Sequence, residues 1–307
     1  MEFYKKRDFG QIIGDTFTFF KEYGRNFILN YLTINGGIIL LLLITVVLGY
    51  GEIISQLFGG NISGETYYFQ QYYNDNQMML IFTSIILFLL LLLLMLFTFS
   101  FPVFYIKIVS ETGNKKVTTS EIIDHFKGNF KRLLLFYLGT IFIVTPIFFA
   151  ATLLSAFLII IMIGLFLFIM LIPVMLNIVN FSLFDTLIGG NSYFKALITA
   201  FKMQFSRRFW KYMGATLVIY LIIYVISMLF TLIPILIFGF SIFTVAGGAQ
   251  DDSTVMVILI LVMYFISIIF SFIVFNAFYI SAGWMYFDSR EDLQGEASIS
   301  EIDQMGL

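Results

Sequence analysis

Five long apolar runs, at 28–50, 79–110, 133–188, 213–248 and 255–287, limit what this chain can fold into more than any other feature. A helix needs about 20 predominantly apolar residues to cross a bilayer. Each run is long enough, and the 56-residue run at 133–188 must hold more than one crossing. Composition agrees, since 60% of the 307 residues are hydrophobic and 12% charged, against roughly 45–50% and 25% in soluble domains. A water-soluble fold is excluded. The first 27 residues are too long and too polar for a cleavable signal. A formal net charge of −2 offers no field for nucleic acid. The absence of cysteine removes disulfides, thiolate ligands and thiol nucleophiles.

Charge sets the number of crossings. All 17 Lys and Arg fall in four segments: five in 1–27, six in 107–132, five in 195–211, and Arg290. The segments 51–78 and 247–254 contain none and carry Glu52, Glu65, Asp75, Asp251 and Asp252. By the positive-inside rule the four basic segments are cytoplasmic. Two of them flank 133–188, so that run crosses twice, with a tight outer turn expected near Ala150–Ser155. The expected topology is six transmembrane helices with both termini inside.

An internal repeat is visible. FKEYGRNF at Phe20, FKGNFKRL at Phe126 and FKMQFSRRF at Phe201 each precede a pair of spans. Apolar residues recur there at helical spacing: Phe9, Ile12, Ile13, Phe17, Phe20 and Phe27; Ile122, Phe126, Phe130 and Leu133; then Phe194, Leu197, Ile198, Phe201, Phe205 and Phe209. Charged residues, and Gln204 with them, take the opposite faces, as in a helix lying in the cytoplasmic interface. Thr118 and Glu121 have the spacing of a capping box. PVFYIKIVS at Pro102 and PVMLNIVN at Pro173 echo one another within the spans. The fold class read from these features is an all-α integral membrane protein, built from three repeats of interfacial amphipathic helix plus two-helix hairpin. The repeat units are about 1–110, 111–188 and 189–287 of one membrane domain 1–287, followed by an acidic cytoplasmic tail 288–307.

One segment carries a resemblance. LFDTLIGGNSYFKALITAFKMQFSRRFWKYMGATL contains Asp185, Gly189, Ala196-Leu197, Ala200 and Arg208-Phe209-Trp210 in an order that resembles a bacterial membrane-domain family. That family is found fused to some glycerophosphodiester phosphodiesterases, and it has stand-alone relatives. The opening RDFGQIIGDTFTFFKEYGRNF is similar to the family's usual start, through Asp15, Phe17, Phe20 and Lys21. The resemblance implies a six-span fold. It implies no catalytic residue, because the phosphodiesterase domain with its acids and histidines is missing.

The inventory of chemistry is short. His125 is the single histidine, and no motif for zinc hydrolysis, a serine nucleophile or phosphate binding occurs. No catalytic, metal or cofactor-binding residue is expected, and the chain is read as non-enzymatic. No ionisable residue stands at the centre of a span, where such groups usually mark transport pathways. The candidate polar cluster within the spans is Asn30, Asn35, Asn177, Asn180 and Asn276. These amides either line a polar cavity or join helices by hydrogen bonds. Pro102, Pro146, Pro173 and Pro234 place one proline in each of spans two to five, compatible with broken helices or with simple kinks. The segment GETYYFQQYYNDNQ suits an interfacial aromatic belt or a surface for stacking on a sugar or headgroup.

In the tail, Ser298 and Glu301 cap a short stripe of Ile299, Ile302 and Met305, either solvated or a docking peptide. The expected partners are membrane lipids, and a membrane protein bound through the cytoplasmic face or the tail. The reading that follows is a scaffold or accessory subunit. Its alternative is a transporter or lipid-handling permease for a neutral or amphipathic substrate.

Overall fold

The computed structural model describes residues 2–58, 66–246 and 253–294, and all secondary structure among them is helical. Eight α-helices follow one another: α1 (Phe9–Phe58), α2 (Thr66–Thr112), α3 (Thr119–Gly139), α4 (Thr145–Phe157), α5 (Ile163–Leu187), α6 (Tyr193–Gln204), α7 (Phe209–Ala246) and α8 (Ser253–Gln294). Six stretches of these are long and apolar enough to cross a membrane, with α3 and α4 counting as one. Ser63, Asp251, Asp252, Ser298 and Glu301 lie outside the described residues, as does the Ile299, Ile302 and Met305 stripe.

Three expectations are corrected. The turn inside 133–188 is at Leu158–Met162, not Ala150–Ser155: a 3₁₀ segment closes α4, and Met162 adopts φ 61°. Gly164 makes the turn possible, because a Cβ there would stand 2.1 Å from the Ser155 carbonyl oxygen and 2.3 Å from the Ile159 nitrogen. The expected outer loop 51–78 is largely helical, since α1 runs to Phe58 and α2 starts at Thr66, with a break at Asn76 (φ −118°, ψ 17°). The amphipathic stretches of the first two units are continuous with the helices that follow them; only α6 is separate.

Local chemistry accounts for two of the helix starts and for one irregularity. Asp8 and Gln11 cap α1 reciprocally, the Gln11 N–H donating to Asp8 Oδ1 (2.7 Å) and the Asp8 N–H to Gln11 Oε1 (3.0 Å). The Thr118–Glu121 capping box is borne out at the start of α3. Between α3 and α4 the residues Thr140–Val144 form a π-helical turn just before Pro146. Proline has no N–H and crowds the carbonyl four residues back, and a widened turn relieves both constraints.

The described residues form two compact units. Within the described residues, the first comprises 2–30, 99–223 and 275–294. Its core is aromatic: Phe27 packs on Phe101 and Tyr105 (4.9 and 5.0 Å between centroids), Phe19 on Trp284 (6.2 Å), and Phe104 on Phe126 (4.8 Å). Phe101, Phe104, Tyr105 and Trp284 are all sealed from solvent. The second unit comprises Tyr31–Thr98 and Tyr224–Val274. Here α1 meets α2 where Gly49 faces Thr83, and Tyr50 shares a 2.6 Å hydrogen bond with Ser84. Ser267 of α8 donates to the Phe230 carbonyl of α7 (3.1 Å), beside the stacked rings of Phe230 and Phe270.

The amphipathic faces differ from the expected ones. In α6 the buried residues are Ala196, Ala200, Met203 and Gln204, while Phe194, Ile198, Phe201 and Phe205 are exposed. Gln204 therefore does not sit on an outward polar face. Close helix approach favours small residues at the contact, and in lipid a large apolar side chain gains little by turning inward. The same shift occurs in α1, where Ile12, Phe19, Tyr23 and Phe27 are buried but Phe9 and Phe17 are exposed.

Candidate functional site

The five asparagines are distributed among several helix contacts. Asn30 donates to the Val117 carbonyl (3.0 Å) and accepts from Thr119 Oγ1 (2.6 Å), tying α1 to the start of α3. Asn35, in the second unit, donates to the Tyr31 carbonyl (3.1 Å) and accepts from Thr98 Oγ1 (3.4 Å). Asn177 accepts from Thr216 Oγ1 (2.6 Å), joining α5 to α7. Asn180 donates to the Leu176 carbonyl one turn back (2.7 Å). Asn276 is fully buried on α8. Asn30, Asn35 and Asn177 thus have three separate sets of partners. His125 stacks on Phe104 with centroids 5.8 Å apart.

The densest polar chemistry lies elsewhere in the first unit, around two carboxylates with 0% exposure, Asp288 and Asp185. Asp288 Oδ1 accepts the Arg7 backbone N–H (2.6 Å) and pairs with Arg208. Its Oδ2 accepts from Lys211 Nζ (2.6 Å) and the Tyr212 hydroxyl (2.7 Å). Lys211 also donates to the Arg7 carbonyl (2.6 Å), and Arg208 to the Asp288 carbonyl (3.1 Å). One carboxylate thereby clamps the N-terminal segment, the start of α7 and the end of α8. The run preceding it, Trp284 to Phe287, is buried on every side, so the helix carries Asp288 inward. The expected acidic tail from 288 is corrected at its start: α8 continues to Gln294.

Arg7 is bound on all its edges. Its Nε donates to Asp15 Oδ2 (2.9 Å), and its terminal nitrogens donate to the carbonyls of Phe3 (2.8 Å) and Glu2 (2.6 Å). The guanidinium lies 4.6 Å over the Trp284 ring. Burial pushes its pKa down, against the hydrogen bond and charge of Asp15 and the charge of Asp288. Arg208 moves the other way: burial acts to lower it, and the hydrogen bond and charge of Asp288 outweigh that effect, so its pKa is raised.

Asp185, near the end of α5, holds a second clamp. Its Oδ1 accepts from the Tyr286 hydroxyl (3.2 Å) and faces Arg290 (3.3 Å), while its Oδ2 accepts from Asn191 (2.8 Å). Gly190 turns the chain at φ +68°. Gly189 leaves room for the acid, since a Cβ there would stand 2.6 Å from Asp185 Oδ1. Lys107 donates to the nearby Leu187 carbonyl (3.1 Å).

The carboxylate of Asp288 has a donor for each of its four lone-pair sites. Such a group is poorly placed to bind a metal or take a proton from a substrate, and well placed to hold elements together. Among the described residues no three His, Cys, Asp or Glu side chains gather as they would around a metal ion. Asp185, Gly189, Asp15 and Arg208 stood out in the sequence through the resemblance, whereas Asp288 did not. Its signal was present: WMYFD runs on from an apolar helix that contains no Pro. No family model matches the chain, and no curated protein or solved structure matches it.

Proposed function

We propose that this chain is a non-enzymatic, multi-pass bacterial inner-membrane protein that works through contacts, as a scaffold or accessory subunit of a membrane assembly. The saturation of the buried Asp288 carboxylate carries the reading. Asp288 and Asp185 hold helices and chain segments together, and Asn30, Asn35 and Asn177 are engaged in helix-to-helix hydrogen bonds. The polar inventory is thus directed to architecture. The resemblance to the membrane domain of phosphodiesterase-fused proteins supports the same reading, since it brings no catalytic residue to this sequence.

The test is purification from native membranes in mild detergent. A stoichiometric partner that survives washing, and is lost when residues 295–307 are deleted, supports a docking subunit. The deletion must begin after Gln294, because one begun at 288 removes Asp288 and dismantles its clamp. Recovery of the chain alone under every mild condition overturns the scaffold reading.

One observation favours transport of a neutral or amphipathic substrate instead. The buried Asn177 Nδ2 and the hydroxyls of Ser182 and Ser281 have no hydrogen-bond partner among the described residues, so polar capacity remains inside the first unit. Saturable flux in reconstituted vesicles, abolished by Asn177→Leu, would establish that alternative.

A further inference from the structure

From the outward face of α6 and the start of α7, we infer a binding surface for anionic phospholipid headgroups. The inference rests on the membrane reading above and is independent of the scaffold role. Phe194, Ile198, Phe201 and Phe205 are all exposed, and Trp210 is 67% exposed. The rings of Phe201, Phe205 and Phe209 stack in sequence, with centroids 6.2 and 5.6 Å apart and planes within 15°. This ladder runs from α6 over its C-terminal cap to the first residue of α7, and the other side of α6 is buried through Ala196, Ala200 and Met203. An exposed apolar ridge of this size is costly in water and at home in the acyl boundary of a leaflet.

Charge selects the lipid. Lys195, Lys202 and Arg207 are exposed beside the ridge and make no ion pair among the described residues. No Asp or Glu occurs between Asp185 and Asp251, and Asp185 is spent internally. Elsewhere on the surface, Lys127 faces Asp124 and Lys115 pairs with Glu22. The α6 surface combines aromatic insertion with uncompensated positive charge, which is the chemistry that recognises an anionic headgroup above an acyl chain.

The chain carries its own probe. Its two tryptophans are Trp210, exposed on this surface, and Trp284, fully buried against Phe3 and Arg7. The full-length Trp284→Phe protein is reconstituted in phosphatidylcholine vesicles doped with brominated phosphatidylcholine or brominated phosphatidylglycerol, and Trp210 emission is read. If the variant does not fold, the native protein serves, because Trp284 is out of reach of bromine. Half-maximal quenching is expected at a roughly three- to tenfold lower fraction of the anionic lipid, with the difference shrinking as salt screens the charges. The triple variant Lys195→Gln, Lys202→Gln, Arg207→Gln should lose that preference and keep quenching by phosphatidylcholine. Equal quenching by both lipids in the native surface would overturn the anionic preference while leaving the membrane contact standing. A preference that survives in the triple variant would overturn it too. No quenching by either lipid would remove α6 from the bilayer altogether.

Discussion

The two units differ in what they bury. The first unit buries aromatic rings and charges together: Trp284, Tyr212 and Phe184 are sealed beside Asp185, Asp288 and Arg7. The second turns large apolar side chains outward, with Leu48, Phe82, Phe88 and Leu89 all exposed, and joins its helices by small contacts such as Gly49 against Thr83. In lipid, apolar burial gives no net drive to helix association. Helices long and apolar enough to cross a membrane can leave Leu and Phe outside, as the first unit also does with Phe142, Phe157 and Phe166, whereas buried charges must be satisfied internally. The difference teaches where stability resides: in the first unit in the pairing of buried charges, in the second in small close contacts between helices.

The most direct way to break this comparison is to remove the central acid. Asp288→Ala leaves Arg208 and Lys211 without their carboxylate and the Arg7 N–H without an acceptor. A loss of about 3–5 kcal/mol is expected, read as a collapse of monodisperse protein on heating in detergent. An unchanged melting profile would show that the clamp does not hold the first unit. Matched truncations sharpen the contrast. Phe104→Ala in the sealed core should cost about 3–5 kcal/mol, while Phe88→Ala on the exposed face of the second unit should stay under about 1 kcal/mol. Equal costs would mean that Phe88 is packed against protein.

Smaller effects follow. Gly189→Ala sets a methyl 2.6 Å from Asp185 Oδ1 and 2.7 Å from the Asp185 carbonyl oxygen. It should cost about 1–3 kcal/mol and speed proteolysis at the 188–192 turn; protease resistance equal to the native chain would contradict it. The least change is expected from Asn35→Leu, which removes one membrane-type hydrogen bond to Thr98. About 0.6 kcal/mol is the usual size of such a bond, and about 1.7 kcal/mol its upper range. A loss beyond that would mean that Asn35 does more than join α1 to α2.

Local features were legible in the sequence and distant ones were not. The Thr118–Glu121 cap could be read because both partners lie within one turn. The six long apolar helices follow from composition and length. The turn at Leu158–Met162 was missed because that stretch is uniformly aliphatic, leaving Gly164 as its sole mark. The inward face of α6 was misjudged because inside was equated with large and apolar, while helix approach placed Ala196 and Ala200 there. Asp288 looked like the first acid of a tail because its partners stand 76 to 281 positions away. No local pattern encodes such a meeting.

That last separation has a consequence in time. The Arg7 amide is made among the first residues of the chain, and its acceptor Asp288 comes 281 residues later. At a synthesis rate of about 5–20 residues per second, the beginning of the protein waits roughly 15–60 s for the helix that receives it. Through that interval Arg7 is present without the carboxylate that holds it, and Lys211 and Tyr212 join the wait only for its last 77 and 76 residues. A nascent chain that stalls or ends before α8 is therefore left open at its N-terminal segment, and this segment is where a membrane protease or chaperone could tell a finished copy from an unfinished one.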